Sequence, residues 1–202
     1  MVSRVTRVGD GVAGATVSIR RATARDARRL TRLVRGSRAY EGPYAPMIAG
    51  YRVGPDYIET HRVFVAVATG RAAGNADVDT GADTDADVDT ARTDERPLGF
   101  YALVLVPPEL DLMFVADAAQ GLGIGRRLVE HMTDEARVAG LDAVRVVSHP
   151  PAEGFYRSVG ARRTGTVAAN PPAVMWDRPE LEIPIPVVAI AGPGRNGGAL
   201  LS

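Results

Sequence analysis

A chain of 202 residues, 46% of them hydrophobic, is long enough for one domain with a real core. Its 24 Lys+Arg residues balance 24 Asp+Glu, and the zero formal charge argues against a general nucleic-acid binder, which carries a basic excess. Cysteine is absent, which excludes a disulfide framework, a thiolate metal site and a cysteine nucleophile. Lysine is absent too, so every basic side chain but histidine is arginine. His61, His131 and His149 stand at unrelated spacings, and no metal is expected. The N-terminus lacks an apolar signal core, and no apolar run approaches the ~20 residues of a membrane helix. The expectation is a soluble, cytoplasmic protein with no nucleic-acid or membrane partner.

Residues 1–15 read as a flexible leader, and TVSIRR (16–21) as a strand. Thr23 and Asp26 have capping-box spacing, and Ala27, Leu30, Leu33 and Val34 continue as a helix with arginines on its solvated face. The segment 37–61 carries Tyr40, Tyr44, Tyr51 and Tyr57, and Pro55 suits the first position of a short helix. RVFVAVAT (62–69) is a strand. Residues 71–96 read as a disordered acidic insertion; they lack the terminal glutamate and flanking helices of a calcium loop. Strands follow at 98–106 and 109–115, separated by Pro107 and Pro108. Ile124, Leu128, Val129, Met132 and Ala136 mark one face of a helix, and Gly140 stands where its C-terminal cap belongs. A strand at 143–148, a short helix ending at Gly160 and two last strands complete a domain over 16–186, with a flexible tail at 187–202. The pattern predicts a mixed α/β sheet rather than strict βαβα alternation.

The stretch QGLGIGRR places Gly121, Gly123 and Gly125 where a strand gives way to a helix. The first N–H groups of a helix lack internal partners and carry the positive end of its dipole. Glycines let an anion reach them, so the turn suits a phosphate or pyrophosphate, with Arg126 and Arg127 adding charge at the same end. The dinucleotide pattern G-x-G-x-x-G is not met, because Leu128 stands where its third glycine belongs.

Gln120, Gly123 and Gly125 form Q-x-x-G-x-G, and Ala152, Phe155, Tyr156 and Gly160 follow in AEGFYRSVGA. Together, and in this strand order, they resemble the GNAT superfamily of acyl-CoA-dependent N-acetyltransferases. The resemblance implies a mostly antiparallel central sheet flanked by helices, whose splayed strands form the acyl-CoA cleft. It implies acetyl-CoA as co-substrate, held by the backbone of Phe114 and Val115 and by the turn Gln120, Gly121, Leu122, Gly123, Ile124, Gly125 and Arg126. It also implies a small-molecule or peptide amine as acceptor, direct transfer, and a homodimer as a form the superfamily often takes.

Tyr156 matches the superfamily tyrosine that often protonates the departing thiolate. For the base, Glu109 and Asp111 share one face of a strand, continued by Met113 and Val115, while Leu110, Leu112 and Phe114 point the other way. Glu109 stands where several superfamily members have a catalytic glutamate; Asp111, a water chain, or a purely structural pairing with an arginine remain alternatives. Pro151 departs from the asparagine often found there and removes one polar contact to pantetheine. His149 could serve as a substrate-side acid or base, or simply be half-exposed. The tyrosines of 37–61 could shape an acceptor pocket or merely pack. A non-catalytic acyl-CoA-binding module and, more remotely, a nucleotide-binding oxidoreductase are the rival readings.

Overall fold

A computed structural model describes residues 5–7, 16–69, 95–172 and 174–186. Except for Glu95 and Arg96, the insertion expected at 71–96 lies outside the described residues, apart from which the tail at 187–202 lies wholly outside them. Of the expected leader, Val5–Arg7 is described and forms an edge strand, β1.

The other strands are β2 (Thr16–Arg21), β3 (Arg62–Thr69), β4 (Arg96–Leu105), β5 (Pro108–Val115), β6 (Ala143–Val147), β7 (Arg162–Val167) and β8 (Arg178–Pro184). They form one eight-stranded sheet in the order β1-β2-β3-β4-β5-β6-β8-β7. Every neighbouring pair is antiparallel except β5 and β6. This is the mixed sheet that the pattern predicts, mostly antiparallel as the resemblance implies.

Helices cover both faces. On one side α1 (Ala27–Arg35) and α2 (Pro55–Thr60) pack Leu30, Val34 and Ile58 against Phe100, Ala102 and Phe114. On the other, α3 (Ile124–Val138) and α4 (Glu153–Ser158) pack Leu128, Met132 and Tyr156 against Tyr101, Leu103 and Leu110. Leu128 and Met132 are fully buried, each contributing about 1.5–3 kcal/mol of apolar burial. Among the described residues, no helix is long and apolar enough to cross a membrane.

Local signals in the chain explain where these helices stop. The helix expected from Thr23 first makes a 3-10 turn, Ala24–Asp26. The Thr23 N–H donates to Asp26 Oδ2 at 2.8 Å, and Arg20 grips both Asp26 oxygens at 2.9 Å, which makes burial of that carboxylate tolerable. At the end of α3, Gly140 has φ +75°, its N–H donates to Arg137 O, and Leu141 N–H donates to Ala136 O. At the end of α4, Gly160 has φ +98°, with Gly160 N–H on Arg157 O and Ala161 N–H on Tyr156 O. Both are Schellman endings, for which glycine carries no Cβ penalty.

One expectation about β5 needs correction. Ala102 pairs with Leu112 but Leu103 pairs with Leu110, so Asp111 is an extra, bulged residue. The alternation flips there. Leu110, Met113 and Val115 join the α3 side of the core, whereas Leu112 and Phe114 join the α1–α2 side. Met113 and Val115 therefore do not continue the face of the acidic residues, and Leu110 does not share a face with Leu112.

Candidate active site

Among the described residues, β5 and β6 meet at a single pair, Glu109 with Arg145. Beyond it the strands part, and a cavity of about 600 Å³ opens between Leu110–Val115 and Val147–His149. The start of α3, Phe155 and Tyr156 of α4, and Tyr40, Met47 and Tyr51 from the segment after α1 also line it. Edge groups of a parted strand pair are free to bond an extended ligand, as they would bond a missing strand.

The glycines serve two different purposes. Gly121 and Gly123 have φ of +77° and +75°, a left-handed turn that a side chain would strain, and a Cβ on either would meet open space. Gly123 is the N-cap of α3, and no side chain caps that end. The amides of Ile124, Gly125 and Arg126 thus lie in a first turn without helical partners, beside the cavity. Gly125 answers to packing instead: a Cβ there would stand 3.1 Å from the Phe155 ring. The close crossing of α3 and α4 explains a glycine inside a helix.

The neighbouring side chains divide similarly. Arg126 is exposed and lines the cavity, whereas Arg127 turns to β2, donating to Val17 O at 3.2 Å. Leu122 packs against the core rather than lining the cavity with its turn. Gln120 donates to Asp117 Oδ1 at 3.0 Å, and Asp117 Oδ2 accepts the Arg38 N–H at 3.2 Å. This pair ties the turn before α3 to the tyrosine-bearing segment. Phe114 is buried, and Phe114 and Val115 line the cavity where the strands part.

The two carboxylates have different surroundings. Glu109 Oε2 accepts Arg145 Nη1 at 2.8 Å, and Arg145 Nε donates to Glu180 Oε1 at 2.5 Å. Glu109 therefore belongs to a strut across β5, β6 and β8, the arginine pairing that the sequence left open. Asp111 lines the cavity and accepts the Tyr57 hydroxyl. Burial, followed by the Asp111 carboxylate, pushes the Tyr57 phenol well above its ordinary value. Burial, then Asp111, pushes Tyr51 up to about 12.

Tyr156 is buried, lines the cavity and meets Phe155 edge-on at 5.3 Å. Burial, then the neighbouring Tyr40, holds its phenol protonated well above the usual range. Tyr40 and His149 are residues whose environment the sequence did not reveal. The Tyr40 ring stacks on Phe114 at 5.6 Å and on His149 at 4.4 Å. His149 is buried rather than half-exposed. Among the described residues, no three histidine or acidic side chains gather as a metal site.

The family model described as acetyltransferase (GNAT) domain matches residues 58–170, more than half of the chain. The chain belongs to this GNAT acetyltransferase family. The match takes in β3 to α4, which hold the turn, the parted strands and the Phe155–Tyr156 helix. A search of curated proteins returned no match to the chain. Among solved structures, a GCN5-related N-acetyltransferase from Rhodopseudomonas palustris aligns with TM-score 0.63 and 13% identity, covering 87% of this chain and 99% of that one. The ribosomal-protein-S18-alanine N-acetyltransferase from Escherichia coli aligns with TM-score 0.55 and 15% identity, covering 87% and 97%. The protein yncA from Salmonella typhimurium, solved with its cofactor acetyl-CoA, aligns with TM-score 0.58 and 16% identity, covering 89% and 98%. At these identities the likeness is one of fold, the GNAT fold, and the family match identifies the enzyme class as an acetyltransferase.

Proposed function

We propose that the protein transfers an acetyl group from acetyl-CoA to a primary amine by direct attack, without a covalent enzyme intermediate. The observation that carries this reading is the left-handed glycine turn at 121–123, which opens an uncapped helix start onto a cavity between parted strands. Those features fit a long ligand with a diphosphate at one end and an extended amide chain behind it. The amides from Gly121 to Arg126, with the Arg126 guanidinium, would hold the diphosphate. The backbone of Phe114 and Val115 would hold the pantetheine, and Gln120 would brace the turn through Asp117. Acetyl-CoA supplies an electrophilic thioester carbon; the chain must orient the amine, accept its proton and protonate the leaving sulfur.

Tyr156 suits the last task. Tyr156 lines the cavity and its phenol stays protonated at neutral pH, able to donate to a thiolate at close range. Asp111 suits the first two, because it lines the cavity, as Tyr51 does, whereas Glu109 does not line it and is engaged by Arg145. The fit of Glu109 to a structural strut and the loss of a polar contact at Pro151 favour the rival reading, an acyl-CoA-binding module without turnover. Thiol release separates the two: with acetyl-CoA and a panel of amines, the enzyme liberates CoA and a binding module does not. Tyr156→Phe should lower turnover about a hundredfold while leaving acetyl-CoA affinity intact. Unchanged turnover in that variant removes Tyr156 from the acid role.

A further inference from the structure

The cavity wall includes one residue, His149, with a polar atom that no described residue of the fold uses. His149 is 6% exposed, its Nε2 is shut off from solvent without a hydrogen-bond partner, and the residue lines the cavity. The position is built rather than incidental. The His149 carbonyl accepts the Ser148 hydroxyl at 2.9 Å and the Ala152 N–H at 2.9 Å, which fixes the backbone. Tyr40 stacks on the ring at 4.4 Å, and Tyr44 meets it edge-on at 4.3 Å while Trp176 buttresses Tyr44 at 4.4 Å. A buried imidazole nitrogen is costly to leave unpaired, so a held ring of this kind points to a partner that arrives from the cavity.

Which half of the cavity the nitrogen serves follows from its neighbours. Tyr40 and Tyr44 both come from the segment between α1 and α2, which also gives Met47 and Tyr51 to the cavity wall. Burial depresses the basicity of His149, which favours the neutral imidazole. A neutral imidazole nitrogen either donates to or accepts from a hydroxyl or an amide, so the charge of the surrounding lining decides what else it admits. Among the residues lining this cavity the guanidinium of Arg126 is the permanent cation, and it stands at the helix end. Near the tyrosines the lining charge is Asp111. That balance welcomes an ammonium and opposes a carboxylate.

We propose that His149 is a specificity-determining residue whose Nε2 hydrogen-bonds a neutral polar group, a hydroxyl or an amide, on the acceptor amine, and that amines bearing a carboxylate in its place are rejected. The inference rests on the acetyltransferase reading and names the acceptor class for that site: an apolar-bodied amine carrying a neutral hydrogen-bonding group.

The test uses the full chain and four acceptors with one aromatic body: phenethylamine, phenylalaninol, phenylalaninamide and free phenylalanine. In the wild type the alcohol or the amide should exceed phenethylamine in kcat/KM by at least about tenfold, with the free acid lowest. In His149→Phe, which keeps a stacking ring, the ratio of amide or alcohol to phenethylamine should fall to about one, while acetyl-CoA affinity stays within about twofold. An unchanged ratio, a wild-type preference for the free acid, or a loss of acetyl-CoA affinity overturns the proposal, the last by giving the nitrogen to the cofactor. A second readout needs neither turnover nor a variant. The chain has three histidines, so the Nε2 resonance of His149 can be followed by nitrogen-15 NMR with CoA present. It should shift with the alcohol or the amide and not with phenethylamine. That shift without any thiol release would retain the subsite and reject the transferase; no shift rejects the subsite whatever the turnover.

Discussion

At the scale of single residues, chemistry depends on which polar groups the fold leaves unoccupied. Glu109 and Asp111 look alike in the sequence, two acids on one strand. In the structure Arg145 holds one, and the other faces the cavity beside Tyr57. Asp111→Asn should therefore lower kcat/KM for the amine by about a hundredfold, whereas Glu109→Gln should change it by less than about threefold. Steady-state kinetics on the two variants decide between them; equal losses would mean that the strut and the catalytic geometry cannot be separated. The sequence could not make this distinction. Arg145 is far away along the chain, and the bulge that sets Asp111 apart leaves no mark in a strand with apolar residues on both faces. His149 was hidden for the same reason, since its burial comes from tyrosines contributed by another segment.

At the scale of elements, much was legible because the signals are local. Gly140 and Gly160 end α3 and α4 in the left-handed conformation that only glycine adopts cheaply. Gly140→Ala meets no side chain but must hold φ near +75°, and should cost about 1 kcal/mol in chemical denaturation without altering acetyl-CoA affinity. Gly99 is different in kind, and nothing in its local sequence announced it. It pairs with Val115, and a Cβ there would stand 2.7 Å from the Phe114 carbonyl oxygen. Gly99→Ala must displace the backbone where pantetheine is expected to bind, and should cost at least about 2 kcal/mol together with cofactor affinity. Normal stability and affinity in that variant would show that β4 and β5 can separate freely there. The motif glycines were legible as a group but not one by one: Gly125 accommodates Phe155, while Gly121 and Gly123 shape the turn.

At the scale of the whole molecule, the mixed sheet and the order of its helices followed from apolar runs, helical periodicity and turn residues, although β1 fell within the stretch read as a leader. The parting of β5 and β6 did not, since an unpaired strand edge has the same residues as a paired one. Burial of phenols is a second global property. Tyr40, Tyr51, Tyr57, Tyr101 and Tyr156 are all pushed above 10.0, chiefly by burial. Unfolded phenols ionise near that value while the folded ones hold their protons, so the folded state binds more protons as pH rises past it. The phenols' share of stability should be level below about pH 9, so that between about pH 8 and pH 11 denaturant midpoints hold and then fall steadily above about pH 10. A flat profile to about pH 11 would mean that these rings are wetter than their packing implies.

The start of α3 is where fold and function meet, and calorimetric titration with acetyl-CoA tests it most directly. The wild type should bind one equivalent with an affinity in the micromolar range, about 8 kcal/mol of binding free energy. Gly123→Glu, which sets a carboxylate and a strained residue at the helix start, should lose at least about a hundredfold in affinity while its thermal unfolding remains cooperative. Equal affinity in the folded variant, or no binding by the wild type, would contradict the assignment of the coenzyme to that helix end.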